Sequence, residues 1–262
     1  MEWILDPYYS VTGENEVTPA VMHSHDTYEI YCFLDGRIEY IVEGRRYVME
    51  RGDVMIMRKG EVHMFDRRSP SRYERIGIHF DVPQEWNFLD LSKLLACFND
   101  RPSGKFNHYP ARMFPHNQWI SWLRKICQTE DPQQQLCYLL PLLCDLSEAF
   151  SVVRASPVVA AKDQAAEVMK YINQNLGEEL SLDTIAGKFF ISKAQLQRSF
   201  RRSAGTTVWE YITVKRLFRA RERIEAGEHP SKVYEDCGFG DYATFYRAYK
   251  RHFGISPREH MK

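Results

Sequence analysis

Three histidines and a glutamate in the first quarter of the chain are spaced so that they could form a site. His23 and His25 are two residues apart, so on a β-strand both side chains point to one face. Glu29 lies on that strand and keeps the same face, and His63 comes from another strand. Together they would offer three imidazoles and one carboxylate, a donor set suited to Fe, Mn, Ni or Zn. The same groups could instead hydrogen-bond an organic effector in a metal-free pocket. They could also be structural histidines with no ligand. Tyr31, Tyr40 and Trp3 are candidate lining residues, and alternation leaves open which of them face inward.

A second constellation lies near the C-terminus, and it occurs twice. Leu196-Gln197-Arg198-Ser199-Phe200-Arg201-Arg202 lines up with Phe245-Tyr246-Arg247-Ala248-Tyr249-Lys250-Arg251. Each reads apolar, x, Arg, x, aromatic, basic, basic, and each is followed three residues later by Gly205 or Gly254. On a helix Leu196 and Phe200 share a face, as do Phe245 and Tyr249, and that face must be buried. Gln197, Arg201, Lys250 and Arg251 then lie off it, with Arg198 and Arg247 at its flank. Each such helix follows a short helix and a tight turn. That is the helix-turn-helix plan, whose second helix enters the DNA major groove. Gly205 and Gly254 read as helix C-caps.

The elements that must position these groups follow from the pattern. Residues 22–82 read as β. The runs Glu29–Leu34, Ile38–Val42, Tyr47–Met49, Val54–Met57 and Ile76–Phe80 are separated by turn signals at Asp35-Gly36, Glu43-Gly44, Gly52-Asp53 and Lys59-Gly60. Strands this short suggest a small antiparallel barrel or sandwich. Three apolar stripes follow at helical spacing. They are Leu91, Leu94, Leu95 and Phe98; then Trp119, Trp122, Leu123 and Ile126; then Leu136, Leu139, Leu140, Leu143, Leu146 and Phe150. Pro141 is expected to kink or restart the last of these. Residues 151–162 read as a linker between a domain over 1–150 and a helical domain over 163–262. Ser181 and Ser192 stand where N-caps belong.

Composition narrows the function. The chain has 262 residues and zero formal net charge. Residues 163–262 nevertheless carry 17 Lys+Arg against 13 Asp+Glu. No run of about 18 apolar residues is evident, so no membrane span is expected. The first residues lack the basic and apolar regions of a signal peptide. The six cysteines show no CxxC spacing, and five of them sit in apolar sequence, as buried thiols do. Disulfides and a zinc finger are therefore not expected, and a reducing cytoplasm fits,. No Ser-His-Asp triad, phosphate loop or nucleotide fingerprint stands at credible spacing.

Residues 169–262 resemble the DNA-binding domain of the AraC/XylS family of transcription regulators. The resemblance is carried by Leu182-x-x-Ile185-Ala186, Ser192-x-x-x-Leu196-x-Arg198-x-Phe200, Gly205 and Tyr211. It continues through Arg216-Leu217-x-x-Ala220, Gly238-Phe239-x-Asp241, Phe245-x-Arg247 and Gly254-x-Ser256-Pro257. The one departure is Tyr234, where the family usually has a small residue. The resemblance implies base-edge contacts from Ala194, Gln197 and Arg198 in the first unit. In the second unit it implies them from Tyr242, Ala243, Tyr246 and Arg247. Gln suits adenine and Arg suits guanine. Lys193, Arg201, Arg202, Lys250 and Arg251 are expected on phosphates.

The N-terminal part resembles a cupin. His23-x-His25-x-x-x-Glu29 with Gly36 is similar to the first cupin motif, and Gly52-Asp53 with Gly60-x-x-His63 to the second. Arg58 replaces the usual Pro, and Arg67 the late Asn. The implied fold is α+β: a cupin-like β-barrel with following helices, then an all-α domain with two helix-turn-helix units. The implied function is a cytoplasmic, sequence-specific transcription regulator, an activator by expectation, that is not an enzyme. Its partners would be double-stranded DNA, RNA polymerase, a second copy of the chain and a small-molecule effector. That effector would be a sugar or related metabolite bound by His23, His25, Glu29, Tyr31 and His63. A divalent metal on His23, His25, Glu29 and His63 is the possible cofactor. The alternatives are a metal-dependent cupin enzyme fused to a DNA-binding domain and an effector-free DNA-binding adaptor. The Leu136–Leu146 stripe is the expected dimerisation surface.

Overall fold

The computed structural model describes residues 4–14, 22–67, 71–82, 90–114, 118–155 and 164–261; Trp3 lies outside them. The chain divides into two compact units, Met1–Ala161 and Lys162–Lys262.

Among the described residues of the first unit, eight strands form two sheets. These are β1 (Ile4–Thr12), β2 (Tyr28–Asp35), β3 (Ile38–Val42), β4 (Arg45–Val48), β5 (Val54–Met57), β6 (His63–Arg67), β7 (Tyr73–Asp81) and β8 (His108–Tyr109). One sheet has the order β1-β7-β2-β5-β8 and the other β4-β3-β6. The pairings within them are antiparallel. The β3–β4 hairpin turns on Glu43-Gly44, both at positive φ (46° and 79°), as the tight turns that match strand twist require,. Within the five-stranded sheet β2 and β5 are buried on both faces, which explains why they read as near-continuous apolar runs,. One face packs with the three-stranded sheet around Tyr31, Phe33, Tyr40, Met55, Met57 and Tyr73. The other packs on the helices through Ile30, Cys32, Ile56, Ile76, Ile78 and Phe80.

Those helices are α1 (Leu91–Leu94), α2 (Ala96–Asn99), α3 (Gln118–Gln128) and α4 (Pro132–Ala155). The first stripe is thus two short turns broken at Leu95 rather than one helix. α4 runs unbroken through Pro141, so the expected restart does not occur, and it extends five residues into the expected linker. By length and composition alone α4 could cross a membrane, a signal that the core helix of a folded domain gives equally. Its apolar residues are used locally. Leu139, Leu142, Leu143 and Leu146 are fully buried in the core under the sheet. The expected dimerisation stripe is therefore largely core, and Leu136 and Leu140 are its only half-buried members. The thiols also divide differently from expectation. Cys32, Cys97 and Cys237 are buried, whereas Cys137 and Cys144 are exposed on α4.

In the second unit are α5 (Gln164–Gln174), α6 (Leu182–Lys188), α7 (Lys193–Ala204), α8 (Val208–Glu225), α9 (Pro230–Asp236) and α10 (Tyr242–Phe253). Local signals set their ends. Ser181, Ser192, Thr207 and Asp241 each accept a hydrogen bond from the backbone N–H three residues on, relieving orphan donors of the first turn,. Gly205 and Gly254 stop α7 and α10 in the left-handed conformation at φ 72° and 77°, where a side chain would be strained,. The central helix α8 packs against α5, α7, α9 and α10. Tyr234 is accommodated by packing on Tyr242 and Phe245, with ring centroids 5.6 and 6.4 Å away.

Candidate functional site: a polar pocket and two exposed recognition helices

The histidines and Glu29 converge. His23 and His63 exchange two backbone hydrogen bonds of 3.0 and 2.9 Å, which clasps the segment before β2 onto β6. Glu29 on β2 stands opposite His79 on β7. Its Oε2 lies 3.1 Å from His25 Nε2 and 3.2 Å from His63 Nε2. Its Oε1 accepts a 2.9 Å hydrogen bond from the Tyr8 hydroxyl. Ligand atoms of His23, His25 and His63 lie within 4.8 Å of one another, as do those of His25, Glu29 and His79. All four sequence-predicted residues are thus brought together, and His79 joins them.

His25 Nδ1 faces the Thr27 carbonyl at 3.1 Å, and His63 Nδ1 faces the Glu61 carbonyl at 2.8 Å. A carbonyl accepts only, so in both rings Nδ1 carries a proton and Nε2 is turned toward Glu29. A neutral imidazole would then point a lone pair at a carboxylate. Only a proton or a metal cation between them removes that repulsion. Burial pushes Glu29 upward, yet the His25 hydrogen bond and the neighbouring His63 imidazole outweigh it and hold the carboxyl well below its ordinary range. Burial lowers His63, but Glu29 beside it leaves the imidazole raised overall. His63 Nε2 lies within ion-pair reach of Glu29 but lacks hydrogen-bond geometry, an orphaned buried nitrogen. Carbonyl-fixed rings and an orphaned Nε2 are what metal-ligating histidines present, so the donor set fits a divalent metal.

Beside the cluster opens a cavity of about 280 Å³ lined by Tyr8, His23, Glu29, Tyr31, Tyr40, Phe65, Arg75 and His79. Tyr31 is there as expected, its hydroxyl 2.5 Å from that of Tyr73. Tyr8, Arg75 and His79 were not singled out from the sequence. β7 alternation could have found two of them. Ile76, Ile78 and Phe80 face the helices, so Arg75, Gly77 and His79 must face the barrel interior,. Gly77 stands opposite Tyr8 and leaves room for its ring.

In the second unit the repeat folds as two helix-turn-helix pairs, α6–α7 and α9–α10. Leu196, Phe200, Phe245 and Tyr249 are fully buried, as their helical face requires. Lys193, Ala194, Gln197, Arg198, Arg201 and Arg202 are exposed on α7. Tyr242, Ala243, Tyr246, Arg247, Lys250 and Arg251 are exposed on α10. Lys193 pairs with Asp183 at 2.8 Å, and Arg247 donates to the Thr244 hydroxyl at 3.3 Å.

Comparison with known proteins gives the same division. A helix-turn-helix domain family matches residues 185–262, and a cupin domain family matches residues 12–74. The chain is 25% identical over 246 residues to the HTH-type transcriptional activator RhaS of Enterobacter sp. (strain 638), covering 90% of this chain and 86% of that one. It is likewise 25% identical over 244 residues to the Msm operon regulatory protein of Streptococcus mutans, covering 90% and 84%. A solved transcriptional regulator of the AraC-type DNA-binding domain-containing proteins, from Chromobacterium violaceum, is 33% identical. That match covers 37% of this chain and 88% of that one, with a TM-score of 0.35. With two helix-turn-helix units following a cupin domain, and with relatives along nearly its whole length that are named as regulators, the chain belongs to the AraC/XylS family of DNA-binding transcription regulators.

Proposed function

We propose that this regulator senses a small polar effector, a sugar or a similarly hydroxylated metabolite, in its N-terminal barrel. Occupancy biases a two-state arrangement of the protein and thereby changes how the recognition helices reach their DNA half-sites. The observation that carries this reading is the 280 Å³ cavity, where aromatic walls surround a few placed polar groups,. His23, His25, Glu29, Tyr31 and His63 hold the effector, joined by Tyr8, Tyr40, Arg75 and His79. The sensing unit corresponds to residues 1–150 and the DNA-binding unit to 163–262.

On DNA, Ala194, Gln197 and Arg198 of α7 and Tyr242, Ala243, Tyr246 and Arg247 of α10 meet base edges. Lys193, Arg201, Arg202, Lys250 and Arg251 take phosphates, Lys193 exchanging Asp183 for one. Their exposure opposite a buried apolar face supports this assignment. The family resemblance adds RNA polymerase as a partner, a cytoplasmic location, homodimerisation and no catalytic turnover. The names of the relatives support regulation rather than turnover, and that of RhaS supports activation as its sign. With Leu139, Leu143 and Leu146 committed to the core, dimerisation through α4 would use Leu136, Leu140 and their exposed neighbours.

The orphaned His63 Nε2 supports a second element of the reading. His23, His25, Glu29 and His63 would hold a divalent metal of the Fe, Mn, Ni or Zn class,. Bound there, it would supply Lewis acidity toward an oxygen of the effector. The test is a thermal-shift screen of sugars and metabolites on the full chain, with and without each metal. Hits are then titrated against binding to DNA selected from a random pool. The reading expects at least one hit that changes DNA affinity and is lost in Glu29→Gln. A complete screen in which no ligand alters DNA binding contradicts it.

A further inference from the structure

Charge inside the barrel is balanced at one end of the cavity and unbalanced at the other. The Glu29 carboxylate is answered by His25 and His63 at 3.1 and 3.2 Å. The Arg75 guanidinium is not answered. It lies among the rings of Phe65, Tyr73 and Tyr8, with centroids at 4.8, 5.2 and 5.6 Å. Its Nη1 donates to the Tyr73 hydroxyl at 3.1 Å, a neutral acceptor. Its Nε is buried with no hydrogen-bond partner, and among the described residues no carboxylate pairs with it. Tyr40 lines the same cavity.

A buried donor without an acceptor is destabilising, and such groups are rare enough in folded proteins that each requires an explanation. Nε is closed to the cavity as well as to solvent, so the guanidinium meets a ligand through its Nη edge, where Nη1 already bonds Tyr73 and Nη2 has no hydrogen-bond partner among the described residues. Stacked rings fix the guanidinium plane but accept no N–H bond in that plane. What fits the Nη edge, beside the cavity that Arg75 lines, is an anionic acceptor of single charge, and a carboxylate is a strong acceptor for guanidinium N–H groups,. One arginine with no second cation beside it matches a monocarboxylate better than a phosphate dianion. The cavity volume of about 280 Å³ admits a ligand of monosaccharide size. Its hydroxyls would reach Tyr40 and the Glu29–Tyr8 pair across the cavity.

We propose that the effector is a carboxylated sugar, a uronate or aldonate, whose carboxylate pairs with Arg75. This inference rests on the reading of the barrel as a sugar-class effector site. It is tested by calorimetric titration of the full chain with D-galacturonate, D-glucuronate and D-gluconate. The controls are D-galactose, D-glucose, D-galacturonamide and D-galactose 6-phosphate. The tightest acid should bind roughly 10- to 100-fold better than its neutral counterparts. Arg75→Gln should abolish that preference, bringing the acids and the neutral sugars to similar affinities, and Arg75→Lys should retain part of it. Should the Arg75 variants fail to fold, the acid-against-amide comparison on the unmodified protein decides. Neutral sugars binding as well as the acids would overturn the carboxylate and leave the sugar reading standing. Tighter binding of the 6-phosphate would replace the carboxylate with a phosphate. Binding of neither acids nor neutral sugars would remove both readings.

Discussion

Gly77→Ala isolates the packing that shapes the pocket. Gly77 lies in regular strand, outside the positive-φ glycines, so Ala meets no backbone objection. A Cβ there would overlap Cζ, Oη and Cε1 of the Tyr8 ring, far inside the 3.0 Å that real Cβ atoms respect. The colliding atoms are the far end of a side chain, so the ring moves and the strand does not. Moving it breaks the 2.9 Å bond from Tyr8 to Glu29. A hydrogen bond to a charged acceptor is worth about 1.5–3 kcal/mol. Ala stiffens the unfolded chain and returns about 0.4–1 kcal/mol. The expected net loss is on the order of 1–2 kcal/mol, read as a lower urea midpoint at unchanged slope. In a Tyr8→Ala background the collision partner is gone, and Gly77→Ala should be neutral or slightly stabilising. An equal loss in both backgrounds would refute the reasoning, because the obstacle would then not be Tyr8.

Three further outcomes follow from the structure. Glu61 is fully buried, its carboxylate on the Arg101 guanidinium at 2.9 and 2.6 Å and on Asn107 at 2.9 Å. Burial raises its pKa, but Arg101 outweighs burial and the carboxyl is held at about 2. A depressed folded pKa adds stability above the unfolded value of about 4.3 that is lost as pH falls toward 2, on the order of 3 kcal/mol in all. Glu61→Gln should therefore flatten the acid limb of the stability–pH curve, and an unchanged limb would contradict the assignment. Leu143→Glu should unfold the first unit, by loss of near-UV circular dichroism, whereas Leu140→Glu should leave it folded; the reverse order would move the stripe out of the core,. Arg201→Ala should weaken binding to all DNA sequences alike and lower the salt slope by about 1; altered sequence preference instead would make Arg201 a base reader.

Much of this site was legible from residue spacing, and the remainder was hidden for physical reasons. The 3.6-residue period placed Leu196 with Phe200, whereas the expected strand carrying His23, His25 and Glu29 together does not form: β2 begins at Tyr28, and a bend at residues 26–27 rather than strand alternation brings His25 to Glu29. The caps at Ser181 and Ser192 are local backbone chemistry, so they could be read without the fold. β1 was missed because it is a half-exposed edge strand carrying Pro7, with no clean alternation,. Tyr8 was missed with it. β8 is only two residues long. Arg75 and His79 carry no motif, and only the inward face of β7 marks them. The leucine stripe on α4 was visible, but periodicity states that a face is apolar and not what covers it. Here Trp119, Leu123 and Ile126 of α3 belong to the same buried cluster. Pro141 stays within a continuous helix because the packing of α4 outweighs its local preference.

The central claim is that two exposed helices of one chain read DNA sequence. It is tested most directly by selecting sites for the full-length protein from a random DNA pool and repeating the selection with Arg198→Ala and Arg247→Ala. The account predicts one enriched motif contacting two successive major grooves, about 10 base pairs apart. Each substitution should relax a different position within it, at about 1–3 kcal/mol. Absence of any enriched motif, or two substitutions that lower affinity uniformly with the motif intact, would contradict it.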